Sequence, residues 1–120
     1  VSTQHEMNRH LTEWDALTRQ FKQELIAAAT AEADHKRDRA RFIVKARAEN
    51  PKLSAAQAEA EAEADDKISE AYLERLGTAA LAEATKSRLI MMRAKSDALR
   101  SARVDERESN RLYSDHPAGA

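Results

Sequence analysis

Glu32-Ala33-Asp34-His35 is the stretch of this chain best suited to chemistry. A glutamate and a histidine three positions apart project from one face of a helix, the spacing with which ferritin-like di-metal carboxylate bundles aim two ligands inward. Such a centre needs two of these motifs and two further glutamates. One chain offers a single motif, with Glu70 opposite it after an antiparallel fold, and a symmetric dimer would double the set. The plain alternative is a solvated Glu–His pair, common by chance in a chain rich in glutamate. His5-Glu6-Met7-Asn8-Arg9-His10 approaches a zinc-binding helix but misses it. Its histidines are ~140° apart around a helix rather than on one face. They read as an exposed first turn.

A second constellation is electrostatic. Lys86, Arg93, Arg100 and Arg107 recur at a strict seven-residue spacing, with Arg88, Lys95, Arg103 and Arg111 alongside. A heptad row of cations can follow phosphates along a helix. It can equally flank the seam of a helical bundle and pair with Glu6, Glu13, Asp15 and Glu24 of an earlier helix. No aromatic residue is interleaved to stack on bases, which favours a protein partner or second subunit over nucleic acid. The chain has no cysteine, so thiolate metal sites and thiol nucleophiles are excluded. No glycine-rich phosphate loop and no Ser/His/Asp order is present. These absences point to a non-enzymatic protein without a cofactor.

The elements that must position these residues are helices. Of 120 residues, 25 are alanine, while glycine and proline occur twice each, too few for the turns of a sandwich or barrel. Valine occurs only at positions 1, 44 and 104, which cannot supply the strands of a parallel sheet. Large apolar residues at Met7, Leu11, Trp14, Leu17, Phe21 and Leu25 keep to one helical face, thinning through Ala29, Ala33, Ala40 and Ile43. Thr3 with Glu6 forms a capping box at the start, and Asn50-Pro51 stops the helix. Ser54 with Gln57 restarts one at once. The spacing predicts a helix over 4–49, a turn at 50–53, a helix over 55–114 with Gly77 its weak point, and a frayed tail over 115–120. The second stripe runs Ile68, Ala71 or Tyr72, Leu76, Ala79, Ala82, Leu89, Met92, Ser96 and Leu99.

Charge supports an antiparallel hairpin. A basic block (Lys36, Arg37, Arg39, Arg41, Lys45, Arg47) precedes the turn and an acidic block (Glu59, Glu61, Glu63, Asp65, Asp66, Glu70) follows it. Folding about the turn sets position i near roughly 103 − i, so the blocks face each other and Trp14 meets Leu89. Exposed ion pairs of this kind specify register more than stability. Leu73, Leu81, Ile90, Met91 and Leu112 fall off the main stripe. They imply self-association, a dimer or higher, that completes a coiled-coil-like hairpin into a helical bundle. No apolar run approaches the ~18 residues of a membrane span, and net charge is −1, so the expectation is a soluble cytoplasmic protein that engages no membrane.

The segment from Arg88 to Tyr113, and within it Ala94, Ala98, Leu99, Arg100 and Ser101, resembles the C-terminal half of small helical proteins encoded by tailed phages of Gram-positive, especially actinobacterial, hosts. The resemblance covers most of the chain as a layout and about 15–25 residues specifically. Members of that group lie near replication and recombination genes. The resemblance therefore implies an accessory role in phage DNA metabolism, in the host cytoplasm, with no catalytic residues to carry over. The small secreted WXG-type hairpins do not fit. Their Trp-x-Gly lies in the turn, where this chain has Asn50-Pro51.

Overall fold

The computed structural model describes residues 3–115, and they form three helices: α1, Thr3–Glu49; α2, Ala55–Ala64; and α3, Asp66–Asp115. No strand occurs among the described residues, and the protein is an all-α, coiled-coil-like helical hairpin. Most of the expected tail, 116–120, lies outside the described residues, whereas Asp115 closes α3.

The turn follows from its residues. Pro51 has no N–H to donate and disfavours a helical Asn50. Asn50 instead closes the chain locally: its carbonyl accepts from the N–H of Leu53 at 3.0 Å, and its side-chain Oδ1 accepts from the N–H of Lys52 at 3.2 Å. Ser54 then caps α2 in an extended conformation. Its Oγ accepts from the N–H of Gln57 at 3.1 Å, and Gln57 Oε1 accepts from the N–H of Ser54 at 2.9 Å. Both halves of the expected capping box are formed. Ser54→Ala is expected to cost ~1 kcal/mol, read as a lower thermal midpoint with unchanged helix content at low temperature.

The helix expected over 55–114 is interrupted, and not at Gly77. The break is at Asp65, whose ψ of 131° is extended. Its carboxylate Oδ2 accepts from the N–H of Ile68 at 3.1 Å, which caps α3, and Ser69 Oγ donates to the carbonyl of Glu63 at 3.2 Å across the break. Asp65-Asp66 explains the position, because aspartate competes with helical backbone bonding in a helix interior and is among the best caps at its start. Gly77 sits inside α3 with open space where a side chain would be.

Packing divides the chain into two units, Val1–Gln20 with Thr85–Ala120 and Phe21–Ala84. In both, the core positions alternate by three and four residues. On α1 they are Met7, His10, Trp14, Leu17 and Phe21, then Glu24, Ala28, Ala31, His35, Asp38 and Phe42, all buried or half-buried. On α3 they are Ile68, Ala71, Arg75, Thr78, Ala82, Thr85, Leu89, Met92, Ser96, Leu99 and Arg103. This is a heptad seam. It corrects the expected stripes, since Leu11, Leu25, Leu76 and the alanines at 29, 33, 40 and 79 are exposed. A straight reading of apolar residues follows 3.6 per turn, whereas two helices kept in contact follow 3.5. The drift carries Leu11 and Leu25 off the seam and brings His10 and Glu24 onto it.

The register changes along the chain for a local reason. Near the turn Arg39 meets Glu63 at 3.9 Å, as the expected pairing requires, and the basic and acidic blocks line one groove there. Beyond Asp65 the partners lie about one helical turn further along α3. Glu32 meets Arg75 rather than Ala71, and Leu17 lines a groove with Arg88, Met91 and Met92. The extended Asp65 stands between the two registers.

Candidate functional site

In the unit Phe21–Ala84 the expected Glu32/His35 pair is present, but its partner is a cation. Both residues lie on the seam side of α1, His35 only 7% exposed. Arg75 reaches from a core position of α3 and donates through Nη2 to Glu32 Oε1 at 3.3 Å, while its Nη1 stands 3.2 Å from His35 Nδ1. A guanidinium can only donate, so His35 Nδ1 is the acceptor and the imidazole carries its proton on Nε2. The ring of Tyr72 packs against His35 at 5.3 Å between centroids, tilted by 48°. Lys36 completes the cluster at 2.9 Å from the same Glu32 oxygen.

Glu70 is exposed and makes no contact with the pair, and no group of three or more His, Asp or Glu among the described residues could hold a metal ion. Within one chain Glu32, His35 and Glu70 are not brought together, and the doubled set of a symmetric dimer is a separate arrangement. Arg75 takes the lone pair of His35 Nδ1 and one of the two Glu32 oxygens, and its charge opposes a second cation there. The cluster is a structural lock that sets one register of α3 on α1.

Electrostatics agree. The hydrogen bond from Lys36, then the Lys36 charge and the Arg75 charge, hold the Glu32 carboxyl below its ordinary 4.5. A carboxylate whose folded pKa is depressed contributes stability that is complete above the unfolded value. That contribution is lost as pH falls through the folded one. Stability is therefore expected to fall on acidification below pH 4.5, and Glu32→Gln to remove part of that loss. Urea unfolding of both proteins at pH 6 and near pH 3.5 checks it, and identical acid sensitivity in the variant would sink the assignment.

The same unit carries a groove of about 560 Å³ beside the lock, between His35 and Arg39 on one side and Ile68, Tyr72 and Leu73 on the other. Glu63 and Ser69 close its end at the α2–α3 break.

The unit Val1–Gln20 with Thr85–Ala120 holds the feature the sequence hid most. His10, expected in an exposed turn, is 1% exposed and is the largest fully buried side chain. Neither of its ring nitrogens has a hydrogen-bond partner among the described residues. Its ring meets Trp14 edge-on at 5.5 Å, and beside it Glu6, Arg9, Glu13, Lys95 and Leu99 line a groove. The alternation of 7, 10, 14, 17 and 21 was the available signal, masked because Leu11 is the more apolar choice.

The basic row is exposed as well. Lys86, Arg93 and Arg100 lie on one side of α3, each directly after a seam position, and Arg107 continues their seven-residue spacing after the exposed Glu106. The expected pairing of this row with acids of α1 is not formed: among the described residues none of the four makes an ion pair, and Asp15 is taken by Arg19 at 3.1 Å. Arg103 is half-buried on the seam, and Arg111 pairs with Glu108 at 3.3 Å. No helix among the described residues is long and apolar enough to cross a membrane. No protein-family model, characterised protein or solved structure matches the chain.

Proposed function

We propose that this chain is a non-enzymatic helical interaction protein that works as a homo-oligomer, a second copy covering the outer face of α3. In keeping with the phage-protein resemblance of residues 88–113, we place it as an accessory in phage DNA replication or recombination, in the host cytoplasm. The observation that carries the reading is an inversion of burial. The described core is made largely of small or polar side chains, Ala31, Ala58, Ala62, Ala82, His10, His35, Thr85 and Ser96, with only Met7, Leu17 and Ile68 as buried large apolar residues. Several large apolar side chains are outside, while Trp14, Phe21, Phe42, Leu89, Met92 and Leu99 are half-buried on the seam. In one unit Leu73 is 66% and Leu81 55% exposed, and in the other Ile90 is 63%, Met91 71% and Leu112 53% exposed.

Each buried Leu or Met is worth ~1.5–3 kcal/mol relative to exposure, and each alanine much less. A seam that buries so few large residues deeply gives a marginal hairpin, and burying the outer residues against a second copy supplies what it lacks. A mostly apolar partner face with few charges to satisfy is typical of a homo-oligomer core rather than a transient contact.

Light scattering at micromolar concentration is expected to give a multiple of the 13.4 kDa chain mass. Leu73→Gln/Leu81→Gln should lower that mass while leaving the helical circular dichroism in place. A monomer across the whole concentration range would defeat the proposal.

A further inference from the structure

We propose that α3 binds the phosphodiester backbone of nucleic acid through the ladder Lys86, Arg93, Arg100 and Arg107. This goes beyond self-association, and it shares one stretch of α3 with it, because Ile90 lies within a turn of Lys86 and Arg93. A seven-residue step on an α-helix advances ~10.5 Å, so the four cations form a straight ladder ~31 Å long. Their side is fixed by the packing. Thr85, Met92 and Leu99 point into the seam, and the residue after each stands at its edge, facing out. All four are exposed and none makes an ion pair among the described residues.

The charge balance along the ladder is favourable. From 86 to 107 there are seven basic residues, including Arg88, Lys95 and Arg103, against Asp97, Asp105 and Glu106. Asp97 lies within a turn of both Arg93 and Arg100 and bonds neither; Asp105 and Glu106 precede Arg107. They weaken the field without closing the row.

Two considerations select a phosphate polymer over an acidic protein segment. Exposed Lys/Arg pairs with protein carboxylates contribute little each, because solvent screens them and two side chains lose freedom. A nucleic acid carries a condensed counterion atmosphere, and each phosphate neutralised releases counterion, so the same exposed cations gain far more. Arginine also dominates the ladder, and its planar fork matches phosphate oxygens in pairs. No aromatic stands between the rungs, so recognition runs through the backbone, independent of base sequence. A flexible single strand can bring a phosphate to every rung, whereas a rigid duplex meets a straight row at fewer points.

Fluorescence anisotropy with a labelled 30-nucleotide single strand and the matching duplex tests this at ~50 and ~200 mM salt. Contact with four phosphates of a single strand predicts affinity ~50-fold weaker at the higher salt, from a slope of ~0.7 per phosphate. Arg93→Glu/Arg100→Glu/Arg107→Glu should abolish binding with its helicity retained. The single variants Arg93→Gln and Arg100→Gln, which leave the fold less burdened, should each lower the salt slope by ~0.7. Single-strand binding at least as tight as duplex binding, for strands of unrelated sequence, is the expected order. No binding at ~50 mM salt, binding that ignores salt, or slopes unchanged in the single variants would overturn the proposal. Displacement by polyglutamate of equal charge as readily as by unlabelled DNA would overturn it in favour of an acidic protein partner.

Discussion

Leu17→Asp is expected to abolish the cooperative unfolding transition of the chain and most of its helical circular dichroism. Leu17 is 5% exposed and, with Met7, is one of two buried large apolar side chains on the seam of its unit, where Trp14, Leu89, Met92 and Leu99 are half-buried. Loss of a buried leucine's contacts alone costs ~2–5 kcal/mol. The aspartate adds the penalty of placing a carboxylate at a buried seam position, which Arg88 and Lys95, lining the same groove, offset only in part. Domains carry ~5–15 kcal/mol in all, and a hairpin with so small a core sits at the low end. Leu89→Asp/Met92→Asp should act in the same direction and less severely per site, since both residues are half-buried. Leu11→Asp is the control. Leu11 is 50% exposed, so its replacement should stay within about 0.5 kcal/mol. Equal damage from Leu11→Asp and Leu17→Asp would mean that the seam is drawn on the wrong face.

That control marks the point at which sequence reasoning stopped being sufficient. The helical class, the turn at Asn50-Pro51 and the Ser54/Gln57 box are legible because each rests on the chemistry of adjacent residues: a missing N–H, a side-chain acceptor at a fixed offset. The facing of Arg39 and Glu63 is legible because charge blocks are long and tolerate a small error of register. The break at Asp65 needed a comparison of two weak signals, a cap-forming Asp65-Asp66 and a flexible Gly77, and conformational freedom proved the poorer guide. The seam was the harder problem. Where Leu11 and His10 are neighbours, hydrophobicity selects Leu11, and only the three-four alternation imposed by a partner helix selects His10. Arg75 was missed for the same reason, as no apolar rule places an arginine in a core. Its presence becomes intelligible once Glu32 and His35 are seen to supply its two acceptors. The Glu-x-x-His spacing did report a real inward-facing pair. What it could not report was the cation on the opposite helix.

The two buried histidines should respond to leucine with opposite signs. At His10 both ring nitrogens are buried without a partner, and a buried polar group left unsatisfied costs ~1–3 kcal/mol. Leucine suits a seam position on a coiled-coil hairpin and has no polar atom to leave stranded. The neighbouring Trp14, which now meets an imidazole edge at 5.5 Å, would pack against methyl groups instead. His10→Leu is therefore expected to stabilise the chain by ~1–3 kcal/mol, several degrees in thermal midpoint. At His35 the outcome reverses. Its Nδ1 accepts from Arg75, whose side chain is 31% exposed, so His35→Leu strands a guanidinium N–H in a partly buried site. The lock then rests on Glu32 alone, and the loss should be of similar size with the sign changed. Thermal melts of the two variants beside the wild type read both effects directly. Stabilisation by both substitutions would show that Arg75 gains nothing from the imidazole, and destabilisation by both would show that His10 is satisfied where it lies.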